Sequence, residues 1–241
     1  MRVISWNIQY GIESELAATE IAAAPEMRDF DVLLLQEMDE PGTAVIAEAL
    51  GASYAYTTAG PHASTGRDFG NAVVTRWPIR RSAEVPLPHR ASVSGQPRSA
   101  THAVVDVEDR EVSAYSVHTE IPSLRLARRV EQFATLARDA NWHPIDLVVV
   151  GGDFNTVTTR GVRALVDTMR TAGLEKVSSA TAPSYRRGGR DLVLDHVFAA
   201  GFEASAAGIV EGTTASDHAP LWVELGWPDD RSDQDGTVAP A

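Results

Sequence analysis

Side chains that can hold a hard metal ion or move a proton recur along this sequence at the ends of short apolar stretches. They are Asn7, Glu37, His118, Asp153, Asn155, Asp195, Asp217 and His218. One aspartate after a strand is more often a turn former or a helix cap than a ligand. Acidic, amide and imidazole groups at strand after strand instead predict a shared site, because functional side chains gather where loops leave a rigid sheet.

The elements that must position these side chains are a mixture of predicted strands and helices. Residues 31–36 contain the continuous apolar run Val-Leu-Leu-Leu, which is typical of a strand buried on both faces. Further strands are predicted at residues 2–8, 53–58, 71–76, 79–87, 99–107, 111–118, 146–150, 192–199, 204–210 and 219–225, and helices at 13–28, 41–50, 122–141 and 160–172. Helices separate the strands in the first half and the middle, whereas strands follow one another directly elsewhere. This order predicts partly antiparallel sheets covered by helices, a layered α/β or α+β sandwich.

Length and composition limit the classes of protein to which the chain can belong. With 241 residues, of which 44% are hydrophobic, it is long enough for one large domain, which we place at residues 1–227. Residues 228–241 have lost the apolar pattern and are predicted to form a disordered acidic tail. Cysteine is absent, which excludes disulfides, thiolate metal sites and cysteine nucleophiles.

Charge and hydropathy bear on the partners and the location of the protein. The formal net charge is −12, whereas a protein that holds nucleic acid through its phosphates needs a positive face. We therefore expect a small-molecule or lipid-headgroup substrate rather than nucleic acid. No apolar run approaches the ~20 residues of a membrane helix, and the first residues read as a strand rather than as a secretory signal. On these grounds we expect a cytoplasmic protein without a transmembrane segment.

Seven short motifs, which carry most of these polar side chains, resemble the motifs of the endonuclease/exonuclease/phosphatase family. They are Ser5-Trp6-Asn7-Ile8, Leu35-Gln36-Glu37, Gly70-Asn71-Ala72-Val73, Ser116-Val117-His118-Thr119, Gly152-Asp153-Phe154-Asn155-Thr156, Leu194-Asp195-His196-Val197-Phe198 and Ser216-Asp217-His218-Ala219-Pro220. They occur in the family's order and span nearly the whole chain. The resemblance implies a four-layer α/β/β/α sandwich with two packed, mostly antiparallel mixed β-sheets. It also implies hydrolysis of a phosphate ester that depends on Mg²⁺ or Mn²⁺.

The resemblance implies a metal site built from oxygen ligands. Glu37 is matched to the principal metal ligand, and Asp217 to a second carboxylate near the metal. Asn7 is expected beside Glu37, where its amide supplies either an oxygen to the metal or a hydrogen bond to a metal-bound water. This set suits Mg²⁺, a hard cation that prefers oxygen ligands and keeps several waters.

The same resemblance implies a set of catalytic groups. His218 is matched to the general base, or to the group that polarises the attacking water, and Asp195 to the residue that holds its other ring nitrogen. Asp153 and Asn155 are expected to orient the water and a phosphate oxygen. In an alternative assignment Asp153 takes the proton, and the same two side chains can also stabilise an Asx turn. His118 is expected to contact the phosphate or to assist the leaving group.

Other side chains are expected to bind the substrate. Asn71, which follows Gly70, is expected to support the site. Arg186, Arg187 and Arg190 surround a predicted Gly-Gly hairpin tip before the strand at 192–199, and they either contact substrate phosphate or lie in a solvated loop. Arg98 is a weaker candidate of the same kind.

The remaining histidines lack a motif. His62, His89, His102 and His143 are predicted to be surface or packing residues. His196 adjoins Asp195 on a strand, and successive strand side chains face opposite ways. If Asp195 faces the site, His196 is therefore expected to face away from it.

Two further functions remain open at this point. A DNA-repair or RNA-processing nuclease would use the same chemistry, but it would need a basic groove with stacking aromatic residues beside the site. A non-catalytic binding protein on the same fold is the other alternative. The presence of every expected catalytic residue argues against it.

Overall fold

Two six-stranded β-sheets lie face to face at the centre of the computed structural model. The structure describes residues 1–62, 65–91, 95–178 and 182–228, and at Arg187 it describes only the backbone. The described strands are β1 (Arg2–Asn7), β2 (Val32–Met38), β3 (Ser53–Pro61), β4 (Asp68–Thr75), β5 (Ile79–Leu87), β6 (Arg98–Val107), β7 (Arg110–His118), β8 (Val148–Asp153), β9 (Glu175–Lys176), β10 (Tyr185–Arg187), β11 (Arg190–Leu192), β12 (Asp195–Ala200), β13 (Glu203–Ile209) and β14 (Leu221–Gly226). The described α-helices are α1 (Ser14–Ala23), α2 (Glu40–Leu50), α3 (Leu126–Trp142) and α4 (Thr159–Arg170). The first sheet has the order β13-β14-β1-β2-β4-β3 and the second β5-β6-β7-β8-β12-β9, while β10 and β11 form a separate hairpin.

Each sheet has one parallel pair of strands at its centre. β1 and β2 are parallel and are connected through α1, and β7 and β8 are parallel and are connected through α3. Parallel strands end at the same edge of a sheet. Asn7 and Glu37 therefore lie together at one edge of the first sheet, and His118 and Asp153 lie together at one edge of the second.

Three apolar layers hold the sheets and helices together. The middle layer, between the two sheets, includes the fully buried side chains of Val3, Leu34, Val105 and Val149. The outer layers pack α1 and α2 on the first sheet and α3 and α4 on the second. The central strands thus bury both faces, which explains the unbroken apolar run at 32–35. This arrangement is a four-layer α/β/β/α sandwich, so the predicted fold class is confirmed.

A buried polar contact joins the two sheets beside the ends of these strands. Gln36 Nε2 donates to Ser116 Oγ at 2.9 Å, and Ser116 Oγ donates to Leu35 O at 2.8 Å. Gln36 and Ser116 are both fully buried. Because Gln36 precedes Glu37 and Ser116 lies two residues before His118, these bonds set the separation of the sheets close to the predicted site.

Several element boundaries differ from the sequence-based prediction. α1 ends at Ala23 and not at residue 28, because Ala24 precedes Pro25 and adopts an extended backbone. α3 begins at Leu126 and not at residue 122, since a turn in which Leu124 N donates to Ile121 O comes first. β2 continues to Met38, so Glu37 lies inside a strand and not after it. The sequence pattern also misses β9, β10 and β11, each of which has only two or three residues.

Two further predictions concern the C-terminal part of the chain. β10 and β11 turn at Gly188 and Gly189, whose φ angles are +60° and +74°, so the predicted hairpin tip is confirmed. The predicted acidic tail lies, beyond Pro228, outside the described residues. Among the helices of the described ranges, none combines the length and the apolar character that crossing a membrane requires.

Candidate active site

Glu37 and Asn7 meet where β1 and β2 end. The register between β2 and β4 shifts between Gln36 and Met38, and Glu37, at this bulge, has a φ of +57°. Bulges re-aim side chains, and here the Glu37 carboxylate meets Asn7, whose Nδ2 donates to Oε1 at 3.2 Å. The Asn7 amide oxygen accepts from Gln9 N at 3.0 Å. Asn7 therefore turns its nitrogen toward the carboxylates, and a direct Asn7 oxygen ligand to a metal stays a prediction.

His118 and Asp153 are cross-strand partners at the ends of β7 and β8. His118 Nε2 lies 3.6 Å from Asp153 Oδ2, and His118 Nδ1 lies 3.8 Å from Glu37 Oε1. Asn7 Nδ2 also donates to Asp153 Oδ2 at 3.2 Å. Groups from the first sheet and from the second sheet therefore converge on one small region, in which Asn7, His118 and Asp153 are all buried.

A chain of hydrogen-bonding groups leads from Asp195 through His218 to Asp153. Asp195 Oδ2 and His218 Nδ1 lie 2.8 Å apart, and His218 Nε2 lies 3.8 Å from Asp153 Oδ2. Asp195 is also the cross-strand partner of Asp153, since β12 is antiparallel to β8. The backbone of His218 is fixed by Trp6 Nε1, which donates to His218 O at 2.8 Å. These contacts give the predicted relation between Asp195 and His218.

The electrostatics of the site follow from burial and from its excess of acidic groups. Burial and the charge of Asp195 raise the pKa of Asp153 to about 7, and burial raises the pKa of Glu37. Burial opposes protonation of His218, but the charges of Asp195 and Asp153 and the hydrogen bond to Asp195 outweigh it and raise the pKa of His218 to about 10. Burial and the charges of Arg98 and His218 hold the pKa of His118 well below its usual value. Burial is thus the largest cause of the raised pKa values of both carboxyl groups, and the charges of neighbouring acids add to it.

The loop after β8 presents Asn155 beside Asp153. Asn155 N donates to Asp153 Oδ1 at 2.9 Å, which is the Asx turn that the spacing allows. The Asn155 side chain instead reaches Thr119 O at 3.1 Å, and the residue has a φ of +51°. Arg129, a buried residue of α3, donates to the carbonyl oxygens of Phe154 and Asn155 at 2.8 Å each. Arg129 thus fixes this loop, a role that the sequence does not indicate.

Asp217 lies next to His218 and is half-buried. Its negative charge acts on both Glu37 and His218, raising the pKa of each. Asp217 O also accepts from Arg186 N at 3.1 Å. The structure therefore places Asp217 next to His218, and a bond from its carboxylate to a metal stays a prediction.

The predicted substrate-binding residues fall at different distances from the site. Asn71 is buried, its Nδ2 donates to Ser99 O at 2.9 Å, and its Oδ1 has no hydrogen-bond partner. Arg186 lines a cavity of about 120 Å³ together with Asp217 and His218, and it pairs with Glu211 at 3.0 Å. Arg190 is exposed on the separate hairpin, and the side chain of Arg187 lies outside the described atoms.

Arg98 acts on His118 and not at an open surface. Its Nε donates to Glu120 Oε2 at 2.9 Å, and its Nη1 lies 3.2 Å from His118 Nδ1. Arg98 is 9% exposed and Glu120 is fully buried. The interpretation of Arg98 as a loop arginine is therefore incomplete, because a buried carboxylate holds it against a catalytic candidate. Charged residues are normally expected at the surface, so the sequence gives no signal of this pair.

Three aromatic rings beside His118 also lack a signal in the sequence. The ring of Phe69 lies 5.6 Å from that of His118 and 5.1 Å from that of His62, which in turn lies 4.7 Å from Tyr10. We call Tyr10, His62 and Phe69 the aromatic wall. His62 packs, as predicted, but it does so next to the site. Tyr10 has a φ of +64° in the 3-10 turn that follows β1, a conformation that side-chain patterns do not reveal.

His196 takes no part in these contacts. It is buried and bonds Thr156 Oγ1 through Nε2 at 2.8 Å, while its Nδ1 has no partner. Burial and the charge of Lys176 lower its pKa to about 3. Asp195 faces the site and the next residue faces the α3 and α4 side, as strand alternation predicts.

A sequence model of the endonuclease/exonuclease/phosphatase family matches residues 4–218. Among curated proteins, a UPF0294 protein of Vibrio vulnificus is 39% identical over 84 residues, which cover 34% of this chain and 28% of that protein. This chain thus aligns with under a third of the length of that relative. The match to the family model confirms the resemblance that the seven motifs indicate.

Solved structures are similar to the fold over almost its whole length. An endonuclease/exonuclease/phosphatase family protein from Leptotrichia buccalis superposes with a TM-score of 0.76 at 17% identity, covering 94% of this chain and 100% of that one. The mannosyl-6-phosphatase Bt3783 of Bacteroides thetaiotaomicron gives 0.74 at 19% identity, with the same coverage of both chains. A humanized D. rerio TDP2 gives 0.72 at 15% identity, covering 94% of this chain and 98% of that one. At these identities the likeness shows the fold alone.

Proposed function

The chain belongs to the endonuclease/exonuclease/phosphatase family, and on this basis we propose that it is a divalent-metal-dependent hydrolase of phosphate esters that acts on a small molecule or a lipid headgroup. Nucleases and phosphatases share the cleavage of a phosphate ester bond by water. The observation that carries the proposal is the convergence of Asn7, Glu37, His118, Asp153 and His218, which lie within 3.2–3.8 Å of one another in successive contacts. Two sheets contribute to this convergence, which a packing role alone does not require.

The acidic groups of the site fit Mg²⁺ or Mn²⁺. Glu37 and Asp153 both turn a carboxylate oxygen toward Nδ2 of Asn7, and burial raises the pKa of each carboxyl group. Buried carboxylates that lack enough positive partners are the donor set that a hard divalent cation prefers. Glu37 would hold the ion, and the family resemblance adds Asp217, whose charge acts on Glu37, as the second carboxylate. When bound, it would supply positive charge to the phosphate oxygens and to the departing oxygen.

Asp153, His218 and Asp195 would activate the attacking water. Asp195 fixes the ring of His218 through Nδ1, which leaves Nε2 directed toward Asp153. Because the pKa of His218 is about 10, its ring is protonated near pH 7 and would orient the attacking water by donating a hydrogen bond from Nε2. Asp153, whose pKa is about 7, would take the proton from that water. The Asx turn at Asn155 holds the carboxylate of Asp153 in place during that step.

His118 would bind a non-bridging phosphate oxygen. Arg98, which is buried against Glu120, holds the ring from one side, and Phe69 packs against it from another. The low pKa of His118 keeps the imidazole neutral near pH 7, so one ring nitrogen donates a hydrogen bond without adding charge. The Arg98 guanidinium adds positive potential behind it.

A small or headgroup-sized substrate fits the charges around the site. The net charge of the chain is −12. Arg98 is paired with Glu120, and Arg186 with Glu211. Both guanidinium groups are therefore partly offset by carboxylates, which disfavours an extended polyanion such as nucleic acid.

A nuclease is the second candidate function, and the aromatic wall favours it. Tyr10, His62 and Phe69 present rings within 4.7–6.0 Å of one another beside His118. A base next to the scissile phosphate could stack on such rings, as in proteins that bind single strands. A nuclease would also need a basic groove beside these rings. Arg98 and Arg186 do not provide one, because each is paired with a carboxylate.

Hydrolysis assays across a substrate panel test both candidates. The panel holds bis-p-nitrophenyl phosphate, p-nitrophenyl phosphate, lysophospholipids, inositol phosphates, plasmid DNA and an abasic duplex, each with Mg²⁺, Mn²⁺ or a chelator. We expect metal-dependent turnover of a small ester that falls by about 10²-fold or more in Asp153→Asn and His218→Ala. His89→Ala is the matched control, because His89 also pairs with a carboxylate, Glu131, at 2.7 Å and takes part in none of the site contacts described above.

The outcomes separate the candidates. Efficient nicking of DNA with little turnover of small esters would replace the leading proposal by the nuclease. Turnover that survives both site substitutions, or that a chelator leaves unchanged, would contradict the proposed mechanism. If folded protein that binds Mg²⁺ hydrolyses none of the substrates, this result would contradict hydrolysis of these esters and favour a binding role.

A further inference from the structure

A second group of metal-competent side chains lies where the end of α3 covers the second sheet. His102 of β6, Asp139 of α3 and His143, the residue that follows α3, place one ligand atom each within 4.8 Å of one another. His143 Nε2 lies 3.7 Å from Asp139 Oδ1, and the rings of His102 and His143 lie 4.6 Å apart. His102 is buried, whereas Asp139 and His143 are half-buried. The group therefore joins a rigid strand to an accessible helix end.

Neighbouring side chains orient two members of this group. His102 Nε2 lies 2.7 Å from Ser113 Oγ, and its ring stacks on Tyr115 at 4.3 Å with an interplanar angle of 5°. Tyr115 OH in turn donates to Asp139 Oδ1 at 3.0 Å. Hydrogen bonds of this kind, behind the ligands, fix the ring plane and the carboxylate in metal sites of proteins. A histidine that serves only for packing would not need these hydrogen bonds, nor would it need to lie next to a second histidine and an acid.

We propose that His102, Asp139 and His143 bind a late first-row divalent cation such as Zn²⁺, with water completing its coordination. Two imidazoles and one carboxylate are the ligands that suit Zn²⁺, and they differ from the oxygen set at Glu37. Zinc holds neighbouring ligands ~3.3 Å apart at bond lengths of ~2.0–2.1 Å. Since the group is spread over up to 4.8 Å, binding would draw the half-buried His143 and Asp139 toward His102.

This site would be separate from the catalytic groups. Tyr115, the cross-strand partner of His102, lies three residues before His118, which is ~10 Å along a strand. A bound ion there would tie the end of α3 to β6 and β7 and would stabilise the second sheet. It would not touch the substrate.

Asp139 supplies the negative charge of the proposed site. The positive charge of Arg81 acts on both His102 and Tyr115, and it disfavours a cation nearby. The Asp139 carboxylate offsets it. Asp139→Asn should therefore weaken binding as strongly as His143→Ala does, even though the amide keeps the size of the side chain.

Titration with Zn²⁺ tests the proposal while excess Mg²⁺ competes at the acidic groups around Glu37. We expect the native protein to bind one more equivalent of Zn²⁺ than His143→Ala or Asp139→Asn, in which the affinity falls by more than about tenfold. Bound Zn²⁺ should also raise the melting temperature of the native protein but not that of the two variants. Both variants change half-buried residues, so they avoid the risk of misfolding that replacement of the buried His102 carries. His89→Ala again is the control.

Co²⁺ gives a spectroscopic check of the ligands. A visible absorption band typical of a nitrogen- and oxygen-bound ion should appear in the native protein and in His89→Ala, and it should be lost in His143→Ala. Equal Zn²⁺ stoichiometry and affinity in native protein and both variants would overturn the proposal, as would the absence of Zn²⁺ binding by the native protein. Ester hydrolysis in Mg²⁺ should be the same in His143→Ala as in the native protein, so the two proposals can fail independently.

Discussion

Gly152 is the position at which a single methyl group should damage both the fold and the site. Its φ is +157°, in the range that favours glycine, and a Cβ there would lie 1.9 Å from Val117 O and 2.8 Å from Val117 C. These are backbone atoms of β7, the parallel neighbour of β8, and they cannot rotate away. Gly152→Ala therefore requires the two strands to separate. The next pair in the register is His118 and Asp153.

The magnitude follows from two contributions. Holding alanine at this φ costs about 1–3 kcal/mol, and forcing the strands apart costs about 1–3 kcal/mol more. The sum, about 4 kcal/mol, is a large part of the ~5–15 kcal/mol by which domains are stable. With a urea m-value of ~3 kcal/mol/M, the midpoint of unfolding should fall by about 1.3 M. Movement of His118 from Asp153 should also lower kcat/KM for the ester that the panel identifies.

The loss of stability can be compared with that caused by the same change at two other glycines. A Cβ at Gly173 meets nothing within 4 Å although φ is +73°, so Gly173→Ala should cost only the ~1–2 kcal/mol of a left-handed backbone. A Cβ at Gly151 would lie 2.7 Å from Leu34 Cδ1, the end of a flexible side chain, so Gly151→Ala should fall between the two. A urea midpoint for Gly152→Ala as high as that for Gly173→Ala would refute the reasoning, because the backbone clash would then have no energetic consequence.

Three other substitutions test separate parts of the structure. Asp195→Asn should lower kcat by about 10²-fold or more with little change in KM, because His218 loses its orienting carboxylate; equal kinetics in steady-state assays would contradict that role. Glu120→Gln should destabilise the protein by up to about 3 kcal/mol, measured by urea unfolding, because it leaves Arg98 buried without its charge partner, and an unchanged midpoint would argue against the pair. His196 has a pKa of about 3 when folded and ~6.5 when unfolded, so the unfolded chain binds the extra proton between these values and stability falls as the pH falls. Between pH 7 and pH 5 the native protein should lose about 2 kcal/mol more than His196→Gln does, and parallel pH profiles would contradict the buried neutral imidazole.

The central sheets could be predicted because their strands carry a strong local signal. The apolar run at 32–35 is buried on both faces, and the polar groups in the last residues of the central strands stand at the edge where parallel strands end. The position of Glu37 within β2 could not be predicted in the same way. Its bulge and its φ of +57° depend on the pairing of β2 with β4, which is a tertiary contact.

Partners that are distant in sequence explain what the residue pattern leaves out. Arg98 and Glu120 are 22 positions apart, and each alone reads as a surface charge. His102 and His143 come from a strand and from the end of a helix, so no spacing rule joins them. Short strands such as β9 have too few residues to show an alternation of apolar and polar side chains. In each case the missing information is which element packs against which, and only the folded sheet supplies it.

The composition of the inter-sheet layer near the site gives a physical reason for the placement of catalytic groups on both sheets. Far from the site this layer is filled by valine and leucine, whereas near it stand Ser5, Gly151, Ser116 and Gln36. Side chains as small as glycine and serine let the sheets approach, since an added Cβ at Gly151 of the second sheet would already lie 2.7 Å from Leu34 Cδ1 of the first. That approach allows Asn7 of the first sheet to reach Asp153 of the second at 3.2 Å. Enlarging this layer should therefore separate the two halves of the site before it unfolds the protein, which makes Gly151→Ala a test of catalytic geometry as well as of packing.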